Sequence, residues 1–370
     1  MYQFFLKYSI VTFLLSSLII PLIIIISKKF NLFDYNDGRK IHTGNISRLG
    51  GLAIFSTFFG IYIFFLLTTD YRLCCSTTLY SAALIIAFLT GFIDDIVNIR
   101  ARYKLLLQII AAVVAVSSGL IINGIAVPGI IQLSFGPMSV PITIFWILLF
   151  MNAVNLMDGM DGLAGGVTII AGIFMFVISI INGNMPVAIL SAALVGSISG
   201  FFIFNCPPAK IFMGDGGAYF IGFVFATLPL MGISKTSVAA LFIFPFILFL
   251  IHITDILNVM VLRKRQGNHI FTPDKNHIHH RLLGMGLSVK KVLLIIYSFS
   301  IVLGFFSLLL LNINKKYVLM VLTLIMLFIF ICFHVLKTVE EKIAAGGKKK
   351  TDRNGELKET GVYSHEIIYK

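Results

Sequence analysis

The chain is divided by a series of apolar runs, each close to the ~20 residues a helix needs to cross a bilayer. They fall at about 8–26, 51–67, 80–97, 104–122, 140–155, 165–181, 186–204, 217–233, 237–262, 290–310 and 316–336. In lipid, backbone N–H and C=O groups must be satisfied within the segment, so such runs fold as helices. The predicted fold class is therefore all-α: a polytopic membrane helix bundle of about eleven transmembrane helices. The first run is long for a signal-peptide core and lacks a small-residue cleavage site, so it reads as a retained span. Residues 1–336 are read as one transmembrane domain, and residues 337–370 as a basic tail predicted to be disordered.

Only 12% of residues are charged, against about 25% in a soluble domain. The formal charge of +13 raises the question of nucleic acid, but cytoplasmic loops of membrane proteins carry excess Lys and Arg. The basic residues gather in Lys28 to Arg48, Asp94 to Lys104, Arg263 to Lys291 and the tail, while Asn123 to Ser139 has no charge. This alternation predicts the N-terminus outside, the C-terminus in the cytoplasm, and the polar motifs on the cytoplasmic face. Lys315 and Lys316 run against it. Cys74, Cys75, Cys206 and Cys332 show neither metal-ligand spacing nor a disulfide framework.

Four polar motifs interrupt the apolar pattern on that face. The densest is NAVNLMDGMDGLAGG, in which Asn152, Asn155, Asp158 and Asp161 recur every three residues among Gly159, Gly162, Gly165 and Gly166. On a helix these oxygens share a slowly drifting face, a donor set that suits a hard cation; the bland alternative is a glycine-rich packing segment. GFIDDIVNIRARYKLLLQ pairs Asp94 with Asp95 ahead of Lys104. Adjacent acids point about 100° apart on a helix, and acids with a Lys suit phosphate chemistry as well as simple capping. NCPPAKIFMGDGGAYFIG sets Asp215 among glycines at a helix start, as a ligand or a cap. NHIFTPDKNHIHHRLL clusters His269, His277, His279, His280 and Arg281, closer to an anion cradle than to a zinc site. Lys40 and Arg48 lie in DGRKIHTGNISRLGG, a solvated loop or an anion contact, and His252 with Asp255 in the ninth run reads as a bonded structural pair.

In this order the motifs resemble the prokaryotic polyprenyl-phosphate N-acetylhexosamine-1-phosphate transferases, over about Arg39 to Gly286. HIHHRLL is most similar to the type that takes UDP-GlcNAc, and DGRKIHTGNISRLGG resembles the family's first cytoplasmic loop. The resemblance implies an enzyme: GlcNAc-1-phosphate passes from UDP-GlcNAc to undecaprenyl phosphate, giving undecaprenyl-pyrophosphoryl-GlcNAc and UMP. It implies Mg²⁺, or Mn²⁺, on Asn155 and Asp215. By motif position it also implies a phosphate contact at Lys104, a place near the uridine for Asp161 and Gly162, and Asp94 with Asp95 as the acid pair, Asp94 binding or deprotonating the lipid phosphate. Asp158 lies beside the nucleotide, with Asn152, Lys40 and Arg48 among the substrate contacts. His277, His279, His280 and Arg281 match the loop that meets the pyrophosphate and amino sugar. The family commonly forms homodimers. Two rivals remain at this stage: a different UDP-sugar or UDP-MurNAc-pentapeptide as donor, and a transporter of an anionic substrate, which would keep its ionisable groups near the midplane.

Overall fold

The structure is a computed structural model that describes residues 2–30, 32, 46–71, 73–127, 131–231, 249–250, 253–255, 264, 277–312 and 317–348. In chain order the helices are α1 (Tyr2–Lys29), α2 (Gly50–Thr68), α3 (Thr77–Val97), α4 (Ala101–Ser117), α5 (Ser139–Met157), α6 (Leu163–Ile181), α7 (Met185–Asn205), α8 (Gly214–Met231), the short α9 (Ile278–Gly284), α10 (Val289–Asn312) and α11 (Val318–Lys348). Eight of them are long and apolar enough to cross a membrane among the described residues. The protein is thus a multi-pass, largely helical membrane protein. The apolar run 237–262 lies mostly outside the described residues.

The bundle is arranged around α8. Every residue of α8 except Asp215 is buried, because α2, α3, α5 and α7 pack against it. Two helices can approach this closely only where small residues face each other. A Cβ on Gly91 of α3 would stand 2.1 Å from the Asp215 carbonyl carbon, and one on Gly51 of α2 would stand 2.2 Å from the Gly217 nitrogen. Trp146, the single tryptophan, donates its indole N–H to Ala226 O at 3.0 Å and ties α5 to α8. Around this centre α7 packs on α1 and α6, α6 on α10, and α4 on α3 and α5.

The loops sort to two ends. At one, Ser76 N–H bonds Ser118 O and the Cys74 thiol bonds the Met231 carbonyl at the end of α8. At the other, residues 47–51 lie along residues 211–213: Phe212 N–H bonds Ser47 O, and Gly50 and Gly51 N–H bond Phe212 O and Met213 O. The second end holds the polar motifs.

Three local features depart from the sequence expectation. The fourth run stops as a helix at Ser117, where Gly119 takes a left-handed φ of 106°. It is followed by a two-stranded antiparallel hairpin, β1 (Gly124–Val127) and β2 (Ile131–Ser134). Asn152 and Asn155 ride on α5, but that helix ends at Met157, so Asp158 and Asp161 lie in the turn beyond it. Finally, α11 continues through Lys337 to Lys348; the Lys, Glu and Ala of this stretch are strong helix formers with no proline to stop them.

Gly91→Ala forces α3 off α8 and is expected to cost about 1–3 kcal/mol as overpacking, read as a lower thermal midpoint in detergent. Gly60→Ala, on α2 with nothing within 4 Å of its Cβ position, is the matched control and leaves the midpoint unchanged.

Candidate active site

The site begins where α3 meets the start of α8. The first N–H groups of a helix have no partner inside it, and an anion placed there also meets the positive end of the helix dipole. Asp95 supplies that anion: its two oxygens accept Asp215 N–H at 2.8 Å and Gly216 N–H at 2.9 Å. Gly214 makes the approach possible. It has φ 73°, and a Cβ there would strike Arg48 O and the Asp95 carboxylate.

Asp94, the neighbour of Asp95, turns the other way. Its Oδ1 accepts Ile99 N–H at 2.8 Å, across the left-handed Asn98 that ends α3, and its Oδ2 pairs with Lys104 of α4. Lys104 Nζ also reaches Asp215 Oδ2 at 3.2 Å, and Asn155 Nδ2 donates to Asp215 Oδ1 at 2.9 Å. Asp94 and Asp215 thus share one ammonium, and two carboxylates drawn together in this way need a cation between them. Asp158, in the turn after α5, faces Asp215, Asp95 and Arg48. Burial, then the negative charge of Asp215 and Asp95, pushes its carboxyl well above the ordinary range, with Arg48 pulling the other way.

Asp94, Asp95, Asp158 and Asp215 thus gather around two cations, Lys104 and Arg48. Among the described residues no three His, Cys, Asp or Glu side chains stand at metal-ligand spacing; Lys104 bridges Asp94 and Asp215 instead. The donor chemistry nonetheless fits a hard divalent ion, which prefers carboxylate and amide oxygens. Asp215 and Asn155 are the residues that would hold it, and the excess of negative charge is what it would balance.

A second group adjoins the first through the turn 158–162. Asp161 is buried and accepts Ala209 N–H at 2.9 Å. Gly162, with φ 76°, donates its N–H to Asn205 Oδ1 at 3.0 Å, and its carbonyl accepts the Tyr297 hydroxyl at 2.6 Å. The two residues proposed to lie near a nucleotide therefore also join the turn to residues 205–211 and to α10. His279 of α9 lies against Gly159: a Cβ there would stand 2.8 Å from its Nε2. The rings of His277, His279 and His280 follow in sequence, with centroids 6.0 and 4.3 Å apart, and Arg281 sits on the same short helix.

Asn152 is set back from the acids, bonded through Nδ2 to Gln108 Oε1 at 2.9 Å. Lys40, His252 and His269 lie outside the described residues. The expected pairing of Asp255 with His252 therefore lies outside the described residues; Asp255 bonds His277 Nδ1 at 3.0 Å. Sequence reading missed Gln108 and Tyr219. Tyr219 stands one turn further along α8 from Asp215, and the i, i+4 spacing from Asp215 was the available signal.

The sequence profile of glycosyl transferase family 4 matches residues 76–233, a span from the start of α3 to the end of α8. The chain is 33% identical over 334 residues to the "Probable undecaprenyl-phosphate N-acetylglucosaminyl 1-phosphate transferase" of Bacillus subtilis, covering 90% of this chain and 92% of that protein. It is 33% identical over 298 residues to the decaprenyl-phosphate N-acetylglucosaminephosphotransferase of Mycobacterium tuberculosis, covering 73% of this chain and 74% of the relative. With the phospho-N-acetylmuramoyl-pentapeptide-transferase of Caldicellulosiruptor bescii it shares 32% identity over 310 residues, 79% of this chain and 92% of the relative. The chain therefore belongs to glycosyl transferase family 4, the membrane-embedded polyprenyl-phosphate N-acetylhexosamine-1-phosphate transferases.

Proposed function

We propose that the protein transfers GlcNAc-1-phosphate from UDP-GlcNAc to undecaprenyl phosphate, with Mg²⁺, at the cytoplasmic face of a bacterial inner membrane. An oxygen of the lipid phosphate attacks the β-phosphorus of the donor, the bond to the bridging oxygen breaks, and UMP leaves. One phosphoanhydride replaces another, so the barrier is largely the approach of two anions, and catalysis is positioning and charge stabilisation. The observation that carries the reading is Lys104 held between Asp94 and Asp215 at one end of the bundle. Its ammonium is oriented for a phosphate oxygen, and Arg48 adds a second cation near Asp95 and Asp158. Mg²⁺ on Asp215 and Asn155 would neutralise pyrophosphate charge. Asp94 pairs with Lys104 and orients it; the lipid phosphate is already largely dianionic near neutral pH, so a strong base is not required.

The cytoplasmic assignment is supported by the basic residues Lys28, Lys29, Arg48, Arg100, Arg102 and Lys210 on the loops and helix ends of the site end. Asp94, Asp95, Asp158, Asp161 and Asp215 gather there, not at mid-bundle, which favours an enzyme over a transporter, as does the family itself. The choice of donor rests on the relatives named for N-acetylglucosamine transfer.

Purified protein is expected to release UMP only when UDP-GlcNAc, undecaprenyl phosphate and Mg²⁺ are all present, as measured by omitting each in turn. Faster turnover with UDP-MurNAc-pentapeptide would move the assignment to that donor. Asp215→Ala should lower kcat by roughly 10²–10³-fold, the usual cost of one preorganised charge-stabilising group, while the protein still extracts as a folded species. Lys104→Ala should lower kcat/KM by a comparable factor, with Lys104→Arg recovering part of it; wild-type kinetics in either alanine variant would remove that residue from the site.

A further inference from the structure

Asp255 is buried, yet both of its oxygens are committed to the start of α9. Oδ1 accepts Ile278 N–H at 3.1 Å, and Oδ2 lies 3.0 Å from His277 Nδ1. The surroundings include the apolar side chains of Ala153, Leu156, Met157 and Ile296. A carboxylate in such a setting is costly unless its oxygens are bonded, and the bonds it makes are strengthened by the low local dielectric. Capping α9 needs only one oxygen. The second faces a ring nitrogen, and an ionised carboxylate only accepts, so Nδ1 must carry the proton. The partner of one imidazole nitrogen fixes what the other can do.

We infer that Asp255 is a positioning residue for His277: it fixes the imidazole proton on Nδ1 and leaves the lone pair of Nε2, on the far side of the ring, to accept a hydroxyl or amide N–H of the donor's amino sugar. The inference rests on the transferase reading of the site. Asp255 reaches the reaction only through His277, and α9 in turn lies on the acid-bearing turn through His279 and Gly159. Asp255 therefore sets both where the short helix starts and which way its first histidine faces.

Asp255→Asn separates the two roles. The Asn carbonyl can still accept Ile278 N–H, and Asn caps helices about as well as Asp. Its NH₂ would face Nδ1, which must then accept, moving the proton to Nε2. The expected result is a fall in kcat for UMP release of about 10- to 100-fold, the usual cost of losing the carboxylate behind a working imidazole, with an unchanged thermal midpoint. In a His277→Ala background the same substitution should cost nothing further. Wild-type kcat in Asp255→Asn, or an equal loss in both backgrounds, overturns the inference. A second measurement needs no variant at residue 255: 15N NMR of histidine-labelled protein in detergent, with the His277 signals assigned by His277→Gln. A protonated Nδ1 is expected, and a bare Nδ1 with a protonated Nε2 overturns the assignment. This readout is independent of turnover, so failure of the wild type to release UMP counts against the transferase reading alone.

Discussion

The carboxylate of Asp95 belongs to α3 but is spent on α8, and the site end of the bundle depends on that exchange. A helix that begins inside a membrane protein has unpartnered N–H groups and little water to satisfy them. Asp95 takes the N–H groups of Asp215 and Gly216, and the negative charge is favoured at that helix terminus. The bond is short because Gly91 lets α3 lie on the α8 backbone and Gly214 turns the chain without a side chain in the way. Once Asp95 is fixed, its neighbour Asp94 must point elsewhere, since successive helical residues diverge by about 100°. It points at Lys104. One helix crossing thus places the acid that shapes the site and the acid that holds its lysine.

The charge balance then explains what the site is prepared to bind. Asp94 and Asp215 share the ammonium of Lys104, and burial together with the acids around it pushes Asp158 toward its neutral form. Such a cluster lowers its free energy by taking up positive charge, and Lys104 is the part of that charge the chain provides itself. A pyrophosphate arriving at the same place needs the opposite. Cation and anion can be accommodated together where oxygen donors and an ammonium stand side by side, as Asp215, Asn155 and Lys104 do.

Much of this was legible in the chain because lipid imposes a simple rule: apolar runs become helices, and polar residues that survive near them have a reason. The Asp94, Asp158 and Asp215 motifs, separated by long stretches of sequence, were expected to converge at one face and do. The roles within the cluster were less legible. Asp215 at the start of α8 read as a ligand or a cap, and the cap is Asp95, from a helix far away in sequence; capping across helices leaves no local spacing to detect. The three-residue repeat from Asn152 to Asp161 suggested one continuous helical face, but the helix stops at Met157. Asp255 bonds His277, in a later loop, a partner that its own run does not announce. These features have the same origin: side-chain partners in a bundle are chosen by packing, and sequence proximity supplies only the nearest candidate.

The turn from Asp158 to Gly162 is where these separate choices meet. Asp158 faces the acid cluster, Gly159 lies against His279, and Asp161 and Gly162 hold residues 205–209. Exchanging one phosphoanhydride for another demands little covalent chemistry from the protein but tight control of the distance between reacting groups. On the proposed reading that distance follows the separation between the acids of α3, α8 and the turn itself and the histidines at the start of α9. Short polar contacts on both sides of a five-residue turn fix it more firmly than helix packing alone could. The density of carboxylates and glycines in this stretch follows from that position: the acids need partners on two sides, and only glycine lets an imidazole and a neighbouring loop approach the backbone between them.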